Sequence, residues 1–96
     1  MITHLVAWKY RSDVSEATRE DHRAQLRSLS NIVPGIKSLS VGADVLHSPR
    51  SYDTGLVAFF EDRSVLDAYT VHPAHVKVVE FGHSIIDTMA KVDFED

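Results

Sequence analysis

The chain has 96 residues, 44% hydrophobic and 25% charged, with a formal net charge of −4 and no cysteine. These values describe one globular domain, residues 1–96, with a core of modest size. They give no electrostatic reason to expect nucleic acid as a partner, and they exclude disulfides and thiol chemistry. No apolar run approaches the ~20 residues of a membrane-crossing helix, and Met1-Ile2-Thr3-His4-Leu5 lacks the features of a secretion signal. The expected location is the cytoplasm, with no membrane partner.

Ile2 to Tyr10 reads as a strand. Ile2, His4, Val6, Trp8 and Tyr10 line one face; Thr3, Leu5, Ala7 and Lys9 line the other. His4 thus sits among apolar neighbours, either as a satisfied core histidine or as part of a ligand site. Asp13 with Glu16 forms an expected capping box for a helix from about Val14 to Ile32. His22, Leu26 and Leu29 fall on its buried stripe, and Arg19, Arg23 and Arg27 alternate with Glu16 and Glu20 as a solvated face. Pro34-Gly35 ends the helix through a left-handed turn and leaves free carbonyls, which take water or a hard cation.

Ile36 to Val45 alternates serine with apolar residues and predicts a second, less buried strand; His47 to Asp53 is a polar loop. Thr54 to Phe60 is a third strand, with Leu56, Ala58 and Phe60 on one side and Val57 and Phe59 on the other. A short helix from about Ser64 to Thr70 precedes a longer one from Pro73 to about Thr88. On the longer helix His75, Val78, Val79, Gly82, Ile85, Ile86 and Met89 share a face, where Gly82 allows a close approach to the sheet or opens a pocket. The last strand runs from Met89 or Ala90 to Glu95, with Val92 and Phe94 opposite in parity to Lys91 and Asp93.

Chemistry concentrates in Tyr69-Thr70-Val71-His72-Pro73-Ala74-His75, one phenol and two imidazoles around a proline. Proline breaks a helix from within but suits the first position of a new one, so His72 becomes an N-cap and Pro73 the first helical residue. His75, at the third position, sits beside unpaired N–H groups and the positive helix end, which favours a neutral imidazole able to accept a proton. The bend lets Tyr69 and His75 face one space, and each is also open to a plain packing role. His72 and His75 have metal-ligand spacing but no third ligand nearby.

The order β-α-β-β-α-β predicts an α+β, ferredoxin-like four-stranded antiparallel sheet with helices on one face. The opening Thr3-His4-Leu5-Val6, the turn Asn31-Ile32-Val33-Pro34-Gly35 and the run Tyr69-x-x-His72-Pro73-Ala74-His75-Val76 together resemble the stress-responsive A/B barrel (Dabb) family over nearly the whole chain. The resemblance implies a dimeric α/β barrel. By analogy with cyclase members of that family it implies a catalytic pair at Tyr69 and His75, a pocket histidine at His4 and an aspartate at Asp93. It also implies a possible Mg or other hard-cation site at the backbone carbonyls of Ser30, Val33 and Ile36. Thr54 stands where those members carry another pocket histidine, and Val79 where they carry a smaller residue, which shortens any tunnel.

The expected roles are His75 as general base, Asp93 inward-facing and orienting it, Tyr69 as donor and His4 as a second donor. The pocket walls are expected from His4, Val6 and Trp8, from His22 and Leu26, from Leu56 and Ala58, and from Val79 and Ile86. Two functions stay open: a small-molecule-binding or stress-related protein, or an enzyme moving protons on a carbonyl or polyketide-like substrate without a cofactor. The sheet face without helices is also apolar, at Leu5, Ala7, Val57, Phe59, Val92 and Phe94, which predicts a homodimer through that face.

Overall fold

In a computed structural model covering residues 1–96, the elements follow in the order β1 (Ile2–Tyr10), α1 (Glu16–Arg27), β2 (Ile36–Ala43), β3 (Thr54–Phe60), α2 (Arg63–Val71), α3 (Pro73–His83) and β4 (Ile86–Glu95). The four strands make one antiparallel sheet in the order β2-β3-β1-β4, so the two apolar strands β1 and β3 are interior. This is the ferredoxin-like arrangement, with its second helix broken in two before Pro73.

Helix ends differ from the periodic pattern, for local reasons. The N-cap of α1 is Ser15, whose hydroxyl accepts from Thr18 N at 3.2 Å, and not Asp13, which pairs with Arg11. The helix stops at Arg27 instead of Ile32. Ser28 turns its hydroxyl back onto the Gln25 carbonyl, and the following serines and asparagine favour turns over helix. At the other end α3 stops at His83 instead of Thr88, and Ile86 already belongs to β4, consistent with the strand preference of β-branched Ile85, Ile86 and Thr88. Gly35 holds φ +97°, the expected left-handed turn, and its carbonyl accepts from Glu61 N at 2.9 Å, tying the turn to the end of β3.

Ile2, His4, Val6, Trp8 and Tyr10 are buried, as their alternation predicts, and the helices cover this face through Leu26, Leu29, Tyr69 and Val78. Burial of large side chains such as Phe60 stabilises by roughly 1.5–3 kcal/mol each. Across the sheet, Leu5 pairs with Val57 and Val92, and Thr3 with Phe59 and Phe94, so the second face is largely apolar over β3, β1 and β4, with Ser38 and Ser40 of β2 at its edge. Val92 is 52% and Phe94 40% exposed on it.

The arginine stripe of α1 is not wholly solvated. Arg23 is 3% exposed and donates to Thr54 Oγ1 at 3.1 Å, while Glu16 and Glu20 neutralise the rest of its guanidinium. Its position next to His22, on the edge of the buried stripe, is what takes it inward.

Candidate functional site

A cavity of about 190 Å³ lies between the sheet and the helices, walled by residues of β1, α1, β3, α2, α3 and β4. Its first end is built by the break between α2 and α3. His72 ends one helix and caps the next, its Nδ1 accepting from Ala74 N at 3.0 Å, with Pro73 first in α3. The turn brings the Tyr69 and His75 rings to a centroid distance of 4.6 Å, and both line the cavity. Tyr69 is 1% exposed and packs on Phe60 at 5.1 Å. Its hydroxyl has no protein partner and is not sealed in, so it opens on the cavity. Burial pushes this phenol up to about 12, which keeps it a hydrogen-bond donor at neutral pH.

His75 is half-buried, and its Nδ1 lies 3.0 Å from the Thr70 carbonyl. A carbonyl only accepts, so Nδ1 carries the hydrogen, and in the neutral ring Nε2 holds a bare lone pair with no protein partner. Burial is the main cause that lowers the pKa of His75; the bond to Thr70 opposes it, and the nearby His4 and Lys91 lower it further. Burial is thus the main cause that favours the neutral ring.

Asp93 faces inward as parity requires, but it does not orient His75. Its partner is His4, whose Nδ1 donates to Asp93 Oδ1, because the β1–β4 register places these two residues directly opposite each other. Lys91, two residues earlier on the same face, approaches the other carboxylate oxygen at 3.2 Å. Burial alone would raise the Asp93 carboxyl; the bonds to His4 and Lys91 outweigh it and hold it below its ordinary value. His4 in turn meets Tyr69 edge-on at 6.0 Å and lies over Phe60 at 5.7 Å. The first end of the cavity therefore carries a Lys91–Asp93–His4 chain on the sheet side and the Tyr69–His75 pair on the helix side.

At the second end stands His22, also 1% exposed, set edge-on against Trp8 at 5.3 Å. Its Nδ1 is bonded to the Tyr10 hydroxyl at 2.7 Å, which is also bonded to Thr54 Oγ1 at 2.9 Å. Burial, and then the charge of Arg23, lower the His22 pKa to about 4, so the ring is neutral at pH 7.

Of the residues expected in the walls, His4, Val6, Trp8, His22, Leu26, Leu56, Val79 and Ile86 line the cavity. Ala58 does not: it sits mid-sheet between His4 and Leu39, fully covered, and belongs to the core. Thr70, His83 and Lys91 also line the cavity and were not expected. For Lys91 the signal was present, since it shares strand parity with Asp93.

Fold and site together define a small α+β pocket protein with imidazole and phenol groups at its cavity. Residues 2–96 match the Stress responsive A/B Barrel Domain family, and the chain belongs to it. It is 30% identical over 77 residues to olivetolic acid cyclase of Cannabis sativa, covering 78% of this chain and 76% of that protein. Its fold is similar to that of a dimeric ferredoxin-like protein of unknown function from Thermobifida fusca, with TM-score 0.90, 23% identity, and 99% and 90% of the two chains covered. The same holds for a hydroxynitrile lyase from Passiflora edulis, with TM-score 0.84, 17% identity, and 97% and 90% covered.

Proposed function

We propose that the protein is a cytoplasmic homodimer whose cavity binds a small carbonyl or phenolic molecule. The observation that carries this reading is that Tyr69 and His75, whose hydroxyl and Nε2 have no protein hydrogen-bond partner, line one largely apolar cavity. A cavity of about 150 Å³ holds benzene, so 190 Å³ takes one ring with its substituents. Titration with 4-hydroxyacetophenone, followed by calorimetry, is expected to show saturable binding that His75→Ala and Tyr69→Phe weaken several-fold. Unchanged affinity in both variants would overturn the assignment of the site.

The His75 tautomer supports a second reading, catalysis by proton transfer. Nε2 is placed to take a proton from the carbon next to a ligand carbonyl while Tyr69 donates to the carbonyl oxygen, leaving an enolate and an imidazolium. Two similar proteins are named as a cyclase and a lyase, which agrees with such chemistry. Exchange of the methyl protons of 4-hydroxyacetophenone in D2O, fast with the protein and lost in His75→Ala, distinguishes this reading from binding alone.

The homodimer proposal rests on the apolar outer face of the sheet, and similar solved structures are described as dimeric. A standard interface of ~1,600 Å² in total would cover this face. Sedimentation showing only the 10.8 kDa species at micromolar concentration would exclude it. The carbonyls of Ser30 and Val33, in the turn between α1 and β2, accept no protein hydrogen bond, which suits a hard cation held between that turn and Ile36 of β2. A rise in thermal stability with Mg2+, reversed by chelation, tests that part of the proposal.

A further inference from the structure

The second end of the cavity holds a polar group that the Tyr69 and His75 chemistry leaves unused. His22 is buried among Trp8, Tyr10 and Phe81, with ring centroids 5.3, 5.5 and 6.1 Å away. Its Nδ1 is taken by Tyr10, but Nε2 has no protein partner. That atom is not sealed off either, since no fully covered side-chain nitrogen or oxygen lacks a partner. What keeps the space beside it open is Gly82 of α3: a Cβ there would stand 3.3 Å from His22 Nε2. Glycine inside a helix is less stable than alanine, and here its position leaves space beside a buried imidazole nitrogen.

The two ends are well separated. On β1, His4 lies at the Tyr69 end and Trp8 at the His22 end, four residues apart, or roughly 13 Å along a strand. On α3, His75 and Gly82 are seven residues apart, or roughly 10 Å along a helix. One para-substituted ring, with a hydrogen bond at each end, spans that distance.

We propose that His22 Nε2 is a second anchor, and that the ligand of this pocket carries a hydroxyl at the end opposite the group that meets Tyr69 and His75. A hydroxyl both donates and accepts, so it satisfies Nε2 in either neutral tautomer. An alkyl group at that end leaves a buried polar nitrogen without a partner and is disfavoured. The lowered pKa of His22 agrees, because a neutral ring takes an uncharged partner. This inference rests on the reading of the cavity as a small-molecule pocket and narrows its ligands to hydroxylated ring compounds.

The test compares 4-hydroxyacetophenone with 4-methylacetophenone, which differ by a hydroxyl against a methyl of similar size. Calorimetric Kd values for the unmodified dimer are expected to favour the hydroxyl compound about tenfold. Gly82→Ala fills the space beside Nε2 while keeping the His22–Tyr10 bond, and His22→Leu removes the nitrogen; in both, the ratio is expected to fall to about one. Equal affinity of the unmodified protein for both ketones overturns the anchor and leaves the pocket reading standing. Binding of neither overturns both. A tenfold preference that survives in Gly82→Ala and His22→Leu overturns the anchor, whatever their stability.

Discussion

Asp93→Ala is expected to destabilise the protein through His4, and His75 is expected to be indifferent to it. His4 and Asp93 have side chains 9% and 21% exposed, and the carboxylate is the hydrogen-bond partner of His4 Nδ1. A hydrogen bond to a charged group contributes roughly 1.5–3 kcal/mol, and leaving its buried donor unmatched costs about as much. For a domain of this size about 2 kcal/mol lowers Tm by roughly 8–16 °C. Asp93→Asn keeps an acceptor oxygen and is expected to lose about half as much. The assay is a pair of double-mutant cycles by urea denaturation at one protein concentration, Asp93→Ala with His4→Ala and Asp93→Ala with His75→Ala. The first is expected to show a coupling of about 2 kcal/mol, the second to be additive within about 0.5 kcal/mol. The pH dependence follows from the lowered carboxyl: its contribution is full above the unfolded value of about 3.9 and is lost as pH falls through the folded one. A coupling to His75 larger than that to His4 would refute the strand-register argument.

His22, with a pKa lowered from 6.5 to about 4, contributes stability that is full above pH 6.5 and is lost as pH falls toward 4, by up to roughly 3 kcal/mol. His22→Leu should flatten that slope in urea titrations across pH 4–7. Gly35→Ala places a Cβ 2.6 Å from Val65 Cγ2 at a positive φ, and should cost roughly 1–3 kcal/mol by thermal denaturation. Val65→Ala should recover the clash but not the backbone strain. Val92→Asp, on the edge strand β4 and exposed on the apolar face, should shift sedimentation toward the monomer while 4-hydroxyacetophenone affinity at the cavity changes little.

Strand parity and the proline break carried most of what was legible. Period-two alternation in β1 and β3 sorts His4, Val6 and Trp8 from Leu5 and Ala7 without any knowledge of partners. His72-Pro73 sets the α2–α3 junction within a residue because proline acts locally. Helix ends are harder: at Ser15, Ser28 and Ser84 the deciding contacts are local side-chain and cap hydrogen bonds, which periodicity does not register. Asp93 shows the limit of parity most directly. Parity assigns a side chain to a face, but which neighbour it meets depends on how far one strand slides along the next, and here that placed His4 opposite it. Arg23 was misread for a related reason, since a charged stripe along a helix says nothing about which of its members lies over Thr54 on the sheet.

The His4–Asp93 pair joins residues 89 positions apart, and β1 and β4 align from Ile2 opposite Glu95 to Tyr10 opposite Ile86. In the order of chain growth this is the last ladder able to form. A circular permutant opened in the loop between Val45 and Tyr52, with Glu95 and Ile2 bridged by a short turn, makes the same ladder a local hairpin and lowers the mean sequence separation of contacts. In the native chain half of the polar constellation depends on a contact across nearly the whole sequence; in the rearranged one the same contact is local, and faster folding is the expected result.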